Sequence, residues 1–234
     1  GSETVVVTAM NGIPWWYFHM EGGPFDGRSL HSVGSDGAQW SLIGPERVIG
    51  CVVDPACEAI APGIIEHHEF NRFILGEPAG GETDRIVAIS EAMEASGLDA
   101  PIRDGIRWNI WLKLWGNVCF NPISALTHAT LDRITAEPGL RKICKDMMYE
   151  AKAVTEALGI SIPEDMIDRR LDAAGSVTGH KMSMLQDLER KRSLEIDALV
   201  TAVQELGRLT QVPTPTIDVV LTLVQERGRQ AGLY

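Results

Sequence analysis

The pattern of hydrophobic and polar positions changes period once along the chain. Up to about residue 80 the apolar residues come in short runs rich in Val and Ile, punctuated by Gly and Pro, which is the pattern of strands and turns. Beyond about residue 105 they recur every three or four residues over long segments, the spacing of helices with a buried face. The pattern predicts an α/β portion followed by an all-helical one, with the boundary near Pro101.

In the first portion, residues 3–12 (Glu-Thr-Val-Val-Val-Thr-Ala-Met-Asn-Gly) read as a buried strand that ends in an Asn-Gly turn. Residues 48–53, 63–67 and 70–77 read as further extended segments. The intervening stretch 13–47 is Gly-rich and aromatic. Its Pro14-Trp15-Trp16-Tyr17-Phe18 cluster is expected to pack into the core, a lid over a site or a contact with a partner chain being the alternatives. Thr83 is placed to cap a helix from about residue 84 to 96, closed by Gly97, and Asp104 is placed to cap the next helix. In the second portion residues 107–122, 125–133, 140–158 (ended by Gly159) and 163–174 read as helices, as do later segments through 213–230.

The 107–122 segment organises the rest. Lys113, Asn117 and Asn121 stand four apart, and each step of four turns about 40° around a helix, so they form one slanted polar row. Trp108, Trp111, Leu112, Leu114, Trp115, Val118 and Phe120 fill most other directions, so the helix is largely buried and its polar row is costly unless partnered. The row is either the wet face of an ordinary helix or a site for a small polar ligand.

Composition narrows the classes. At 234 residues and 44% hydrophobic content the chain can bury a sizeable core as one large domain or two smaller ones. A formal net charge of -11 argues against nucleic acid or an anionic membrane surface as partner. Cys51, Cys57, Cys119 and Cys144 form no CxxC pair and read as reduced, mostly buried thiols of a cytoplasmic protein. No signal peptide and no apolar run of membrane-spanning length is visible. Glu66-His67-His68-Glu69 is no metal site on this pattern, because adjacent residues of a strand point to opposite faces.

The order W-x-K-L-x-x-N-x-x-x-N-P, from Trp111 to Pro122, resembles the start of the C-terminal helical domain of ketopantoate reductases (2-dehydropantoate 2-reductases). A second resemblance is S-M-x-Q-D, present as Ser183-Met-Leu-Gln-Asp187, followed by a basic segment and Glu195-Ile-Asp197. The likeness runs from Val5 to about Val212. It implies that Lys113 is the proton donor, that Asn117, Asn121 and Ser183 bind substrate, that Asn11 contacts cofactor and substrate, and that Glu195 contacts the cofactor or substrate. Thr127 to Leu131 departs from one member type, in which a further Asn binds substrate.

The residues keep blander readings of their own. Asn11 also fits an ordinary Asn-Gly turn, Ser183 an N-cap, and Glu195 a first-turn carboxylate favoured by the helix dipole. On one straight helix Ser183 and Glu195 would lie roughly 18 Å apart and could not share the small ligand that the resemblance assigns to them, so a break is required between them. Residues 189–193 are the expected place, with Ser193 capping a new helix whose apolar positions are Ile196, Leu199, Val200, Val203 and Leu206.

By the resemblance the fold is an α/β remnant of a Rossmann-type NADP-binding domain, residues 1–101. An all-α C-terminal domain of the 6-phosphogluconate-dehydrogenase-like helical type, residues 102–234, comes after it. No G-x-G-x-x-G leading into a helix occurs in these residues, so the first βαβ units are expected to be missing and the fragment alone to be inactive. The implied activity is NADPH-dependent reduction of ketopantoate to pantoate, in a homodimer. The alternatives are reduction of another 2-oxo acid, or a non-catalytic helical binding or dimerisation module.

Overall fold

The computed structural model describes residues 1, 4–34 and 36–234. It divides into two compact units, Gly1–Ser29 with Gly34–Ile110, and Leu30–Val33 with Trp111–Tyr234.

The first unit is built on a three-stranded sheet in the order β1 (Val6–Met10), β2 (Val48–Val53), β5 (Phe73–Gly76). β1 runs parallel to β2, with Val6 opposite Val48, and β5 runs antiparallel, with Gly50 opposite Gly76. β2 lies in the middle and is buried along nearly its whole length, as its unbroken Val-Ile-Gly-Cys-Val-Val run requires. The expectation of a buried first strand is corrected. β1 is an edge of this sheet and only half-buried. Its β-branched run records a liking for extended backbone, whereas burial depends on which neighbours the strand finds.

A parallel pair needs a long crossover, and here the aromatic stretch supplies it. Trp15, Trp16, Tyr17 and Phe18 are all buried, so the packing expectation holds. The Trp16 indole donates to Thr8 Oγ1 at 2.9 Å, and that hydroxyl donates to the Ile49 carbonyl at 3.2 Å. This satisfies the one polar atom that a buried indole brings with it.

β3 (Ala56–Ala61) and β4 (Ile64–Glu69) form a separate two-stranded sheet around the Pro62-Gly63 turn, where Gly63 has φ +76°. The strand expected over 63–67 therefore exists but does not join the main sheet. β3 went unread because its Ala-Cys-Glu-Ala-Ile-Ala sequence lacks the β-branched and aromatic residues that mark strands. His68 faces Glu58 across this hairpin at 3.9 Å, and His67 bonds the Phe70 carbonyl.

A helix, Asp84–Ala95, covers the sheet with Ile86 packed among Ile49, Cys51, Leu75 and Ala100. Thr83 occupies its N-cap position, but its hydroxyl is turned to Glu77 instead of the helix N-H groups. Glu77 is 4% exposed and also receives Arg85 Nε at 2.8 Å. Arg85 continues to the carbonyls of Glu46 at 2.7 Å and Val48 at 3.1 Å, tying the helix to the start of β2. Asp104 likewise does not cap the next helix; its carboxylate accepts from the Gly81 amide. Arg107 spends its guanidinium on three carbonyls, those of Tyr17, His19 and Pro78.

The second unit is helical. With the four-residue turn His31–Gly34 as α1 and Asp84–Ala95 as α2, the chain continues as α3 (Ile106–Thr127), α4 (Leu131–Ala136), α5 (Pro138–Ala157), α6 (Met166–Gly175), α7 (Ser183–Glu189), α8 (Ala202–Thr210) and α9 (Pro215–Ala231). The division between units falls inside α3, after Ile110. Two expectations change here. α3 runs through Pro122 to Thr127, and the helix expected over 125–133 is instead the end of α3 and the start of α4, with His128 between them in the left-handed region at φ +58°. A proline inside a helix removes one donor, and here it lies in a stretch of α3 that is buried from Val118 to Ala125. α6 starts three residues after Pro163, which serves in the preceding turn, where its carbonyl accepts from the Met166 amide. No helix among the described residues is long and apolar enough to cross a membrane.

Burial alone would raise the Glu77 carboxyl, but the hydrogen bonds from Arg85 and Thr83 outweigh it and hold the carboxyl below the ordinary glutamate range. A depressed pKa stabilises the fold fully above the unfolded value near ~4.3, and that stability is lost as pH falls through the folded value. Glu77→Gln is expected to cost about 2 kcal/mol at neutral pH and to flatten the acid limb of stability, read by urea unfolding from neutral pH to about pH 3. At Gly50 an added Cβ would stand 2.7 Å from the Trp16 ring and 2.9 Å from Ile106 Cγ1. Gly50→Ala should therefore cost about 1 to 3 kcal/mol in the same measurement.

Candidate functional site

α3 carries the polar row as expected, with Lys113 and Asn117 half-buried and Asn121 completely buried. The apolar side chains that enclose it, Trp111, Leu114, Trp115, Val118 and Phe120, are each at most 3% exposed. The side-chain amide of Asn117 has no hydrogen-bond partner among the described residues.

Asn121 is where a second element meets the row. Its Oδ1 accepts from Ser183 Oγ at 3.1 Å and from the Met184 amide at 3.2 Å. The Met184 amide is one of the orphan donors at the start of α7, so Asn121 on a distant helix does the capping. Ser183 is the first residue of α7 and is exposed, while its hydroxyl reaches back to Asn121. The amide Nδ2 of Asn121 is buried with no partner among the described residues. An unpaired buried donor of this kind is costly and calls for an occupant.

The required break falls where it was expected. α7 ends at Glu189, Lys191 takes φ +57°, and the chain is irregular to Glu195 before a π-helical turn, Asp197–Thr201, leads into α8. Ser193 does not cap the new helix; its hydroxyl donates to the Leu233 carbonyl at 3.5 Å. Glu195 precedes the helix rather than sitting in its first turn, and its carboxylate is exposed. The structure thus brings Ser183 to Asn121, while Glu195 stands on the segment after α7 with no hydrogen bond to that pair among the described residues.

Asn11 belongs to the other unit. It comes directly after β1, at the carboxyl end of the strand, and Gly12 beside it turns the chain at φ +78°. Its Oδ1 is buried with no hydrogen-bond partner among the described residues. An ordinary Asn-Gly turn explains the backbone but leaves that acceptor unused.

One neighbour of the row was missed. Arg170 on α6 lies against α3, its Nη2 donating to the Lys113 carbonyl at 3.3 Å, and an added Cβ at Gly116 would stand 2.9 Å from its Nε. The only trace in the sequence is a glycine inside an otherwise strong helix, which costs stability unless close approach requires it. One turn after Ser183, burial raises the Asp187 carboxyl, against the opposing charges of Arg192 and Arg190. On α3 itself the Cys119 thiol is pushed well up by burial and by its hydrogen bond with the Cys144 thiol.

The chain thus combines an α/β portion with a helical portion, and a Lys and Asn row lies on the helix that runs from one into the other. Residues 105–228 match the family model for the C-terminal domain of the ketopantoate reductases PanE and ApbA. The 2-dehydropantoate 2-reductase of Mesorhizobium japonicum is 56% identical over 234 residues, which is all of this chain and 72% of that protein. A Ralstonia solanacearum structure assigned to the ketopantoate reductases superposes with TM-score 0.95 at 42% identity, covering 100% of this chain and 71% of the other. D-mandelate dehydrogenase with NADH shares the fold at TM-score 0.79 and 19% identity, over 99% of this chain and 71% of the other. The chain belongs to the ketopantoate reductase family.

Asn121→Ala removes the acceptor of the Met184 amide and is expected to cost about 2 kcal/mol. Ser183→Ala is expected to cost under about 1 kcal/mol, because the exposed hydroxyl leaves no buried group stranded. Denaturant unfolding of the two variants side by side checks the difference.

Proposed function

We propose that the chain is the substrate-binding and proton-donating part of an NADPH-dependent 2-dehydropantoate 2-reductase, which reduces the 2-oxo group of ketopantoate to the hydroxyl of pantoate. The observation that carries this is the α3 row, in which Lys113 and Asn117 lead to an Asn121 tied to Ser183. When bound, NADPH supplies the hydride for the carbonyl carbon. Lys113 holds its proton at the carbonyl oxygen, stabilises the negative charge that develops there and delivers the proton to it.

The Asn117 amide both donates and accepts, which suits a ligand with a carboxylate and a hydroxyl. Ser183 spends its proton on Asn121, so its oxygen is free to accept from a substrate hydroxyl. The unpaired Nδ2 of Asn121 is the remaining donor of the row. Toward the cofactor, the orphaned Oδ1 of Asn11 suits a donor such as a carboxamide or a ribose hydroxyl, and it stands where ligands bind in open α/β sheets. The exposed Glu195 carboxylate suits ribose hydroxyls. The residues present therefore fit these parts of NADPH, while a glycine-rich pyrophosphate motif is not among them.

We also propose that residues 1–101 serve the cofactor and 102–234 the substrate, that the enzyme is a homodimer, and that it works in the cytoplasm. All four cysteines are free thiols, in keeping with a reducing compartment.

The test measures NADPH oxidation by the complete reductase carrying this chain, with ketopantoate and a panel of other 2-oxo acids. Lys113→Ala is expected to lower kcat with ketopantoate by about 100-fold or more while NADPH binding is kept. Turnover of a different acid in preference would keep the chemistry and change the substrate. Tight binding of a 2-oxo acid without turnover would replace the enzyme by a binding module.

A further inference from the structure

The residue proposed to reach the cofactor, Glu195, lies in an irregular segment with its carboxylate exposed, and no side-chain hydrogen bond or ion pair among the described residues holds it in place. Its position depends on its flanks. On one side the buried Leu194 donates its amide to the Leu233 carbonyl at 3.1 Å, and Ser193 Oγ donates to the same oxygen at 3.5 Å. On the other side Asp197 Oδ1 accepts from the Tyr234 hydroxyl at 2.7 Å and from Thr201 Oγ1 at 2.8 Å. Both flanks of Glu195 are thus held by two consecutive residues, Leu233 and Tyr234.

Those two residues are themselves held rigidly. α9 closes at Gly232, which takes φ +69°, and the amides of Gly232 and Leu233 return to the Arg229 and Gly228 carbonyls at 2.9 Å each. Tyr234 then folds back along α9. Gly228 makes room for it, since an added Cβ there would stand 2.7 Å from Tyr234 Cβ. The Arg229 guanidinium lies 5.6 Å from the centre of the tyrosine ring, and Gln225 Nε2 donates to the phenolic oxygen at 3.1 Å. The phenol therefore has its proton directed to Asp197 and its oxygen directed to Gln225. Leading out of Glu195, the π-helical turn Asp197–Thr201 widens the helix at the point the tyrosine grips. Such turns recur at functional sites because they re-aim the residues beside them.

We infer that Leu233 and Tyr234 form a clip that positions Glu195 for the reaction, so that Tyr234 is a positioning residue acting through the 193–197 segment. The clip rests on the proposed role of Glu195. Packing alone would be served by the ring; the hydroxyl is what joins it to Asp197. A tyrosine ending in phenylalanine would fill the same space and lose the grip.

The test is a double-mutant cycle in the complete reductase, with kcat and the KM for NADPH measured for Tyr234→Phe, Glu195→Gln and the double variant, and thermal unfolding run on each. Tyr234→Phe is expected to lower kcat/KM for NADPH by about five-fold, the weight of one hydrogen bond, with the fold intact. Glu195→Gln is expected to lower it further, and adding Tyr234→Phe to Glu195→Gln to have no further effect, because the clip then has nothing to position. Losses that multiply in the double variant would overturn the clip and leave Tyr234 a packing residue. Full activity of Tyr234→Phe beside an impaired Glu195→Gln would overturn it as well. An unimpaired Glu195→Gln would instead reject the role of Glu195, and the clip with it. Asp197→Ala, which removes the acceptor from the other end, is expected to match Tyr234→Phe in the KM for NADPH if its unfolding temperature is kept.

Discussion

A polar group placed on a buried helix must be paired or it destabilises the fold, and α3 places three of them in a row. The pairing sets the order of the helical unit. Asn121, deepest in the row, takes the first free amide and the first hydroxyl of α7, so satisfying one buried amide also fixes where another helix begins. Lys113 and Asn117 lie nearer the surface and are half-buried. The row thus grades from partial exposure to a buried structural tie at Asn121, and the buried Trp111 and Trp115 exclude water along the same helix. Arg170 completes the arrangement by lying across Gly116, where only the absence of a side chain admits it.

The same economy of space governs the start of α3. Ile106 packs where Gly50 and Gly76 leave room on two paired strands, so the sheet receives the helix closely. Arg107 then satisfies three loop carbonyls with a single guanidinium and holds the aromatic crossover in place. With the crossover packed, β1 and β2 keep their parallel register, and Asn11 emerges at the carboxyl end of β1 with an acceptor that no neighbour among the described residues uses. Asn11 and Asn121 are the asparagines with a buried, unpaired side-chain atom among the described residues.

Much of this was legible in the sequence, and the reasons differ by element. The row at 113, 117 and 121 could be read because helical spacing is local and because a buried helix announces itself by apolar residues on every other side. The break between Ser183 and Glu195 could be read from helix length once the motif resemblance assigned both residues to one small ligand. The main strand at 48–53 was clear because a central strand is apolar on both faces. By contrast, the caps assigned to Thr83, Asp104 and Ser193 were each drawn off to other partners: Glu77, the Gly81 amide and the Leu233 carbonyl. A side chain that can cap a helix can equally bond anything else within reach, and what is within reach is not a local property.

The amino-acid sequence by itself determined the two-part architecture and the family, because period, spacing and motif order are written along the chain. Only the tertiary structure decided how its residues are held. It joined Asn121 to α7, laid Arg170 on Gly116, turned the 56–69 stretch into a separate hairpin, and set Leu233 and Tyr234 on either flank of Glu195. Each of these is a contact between residues far apart in sequence, chosen by which buried polar groups and close approaches could be satisfied at once, and no local pattern records that choice.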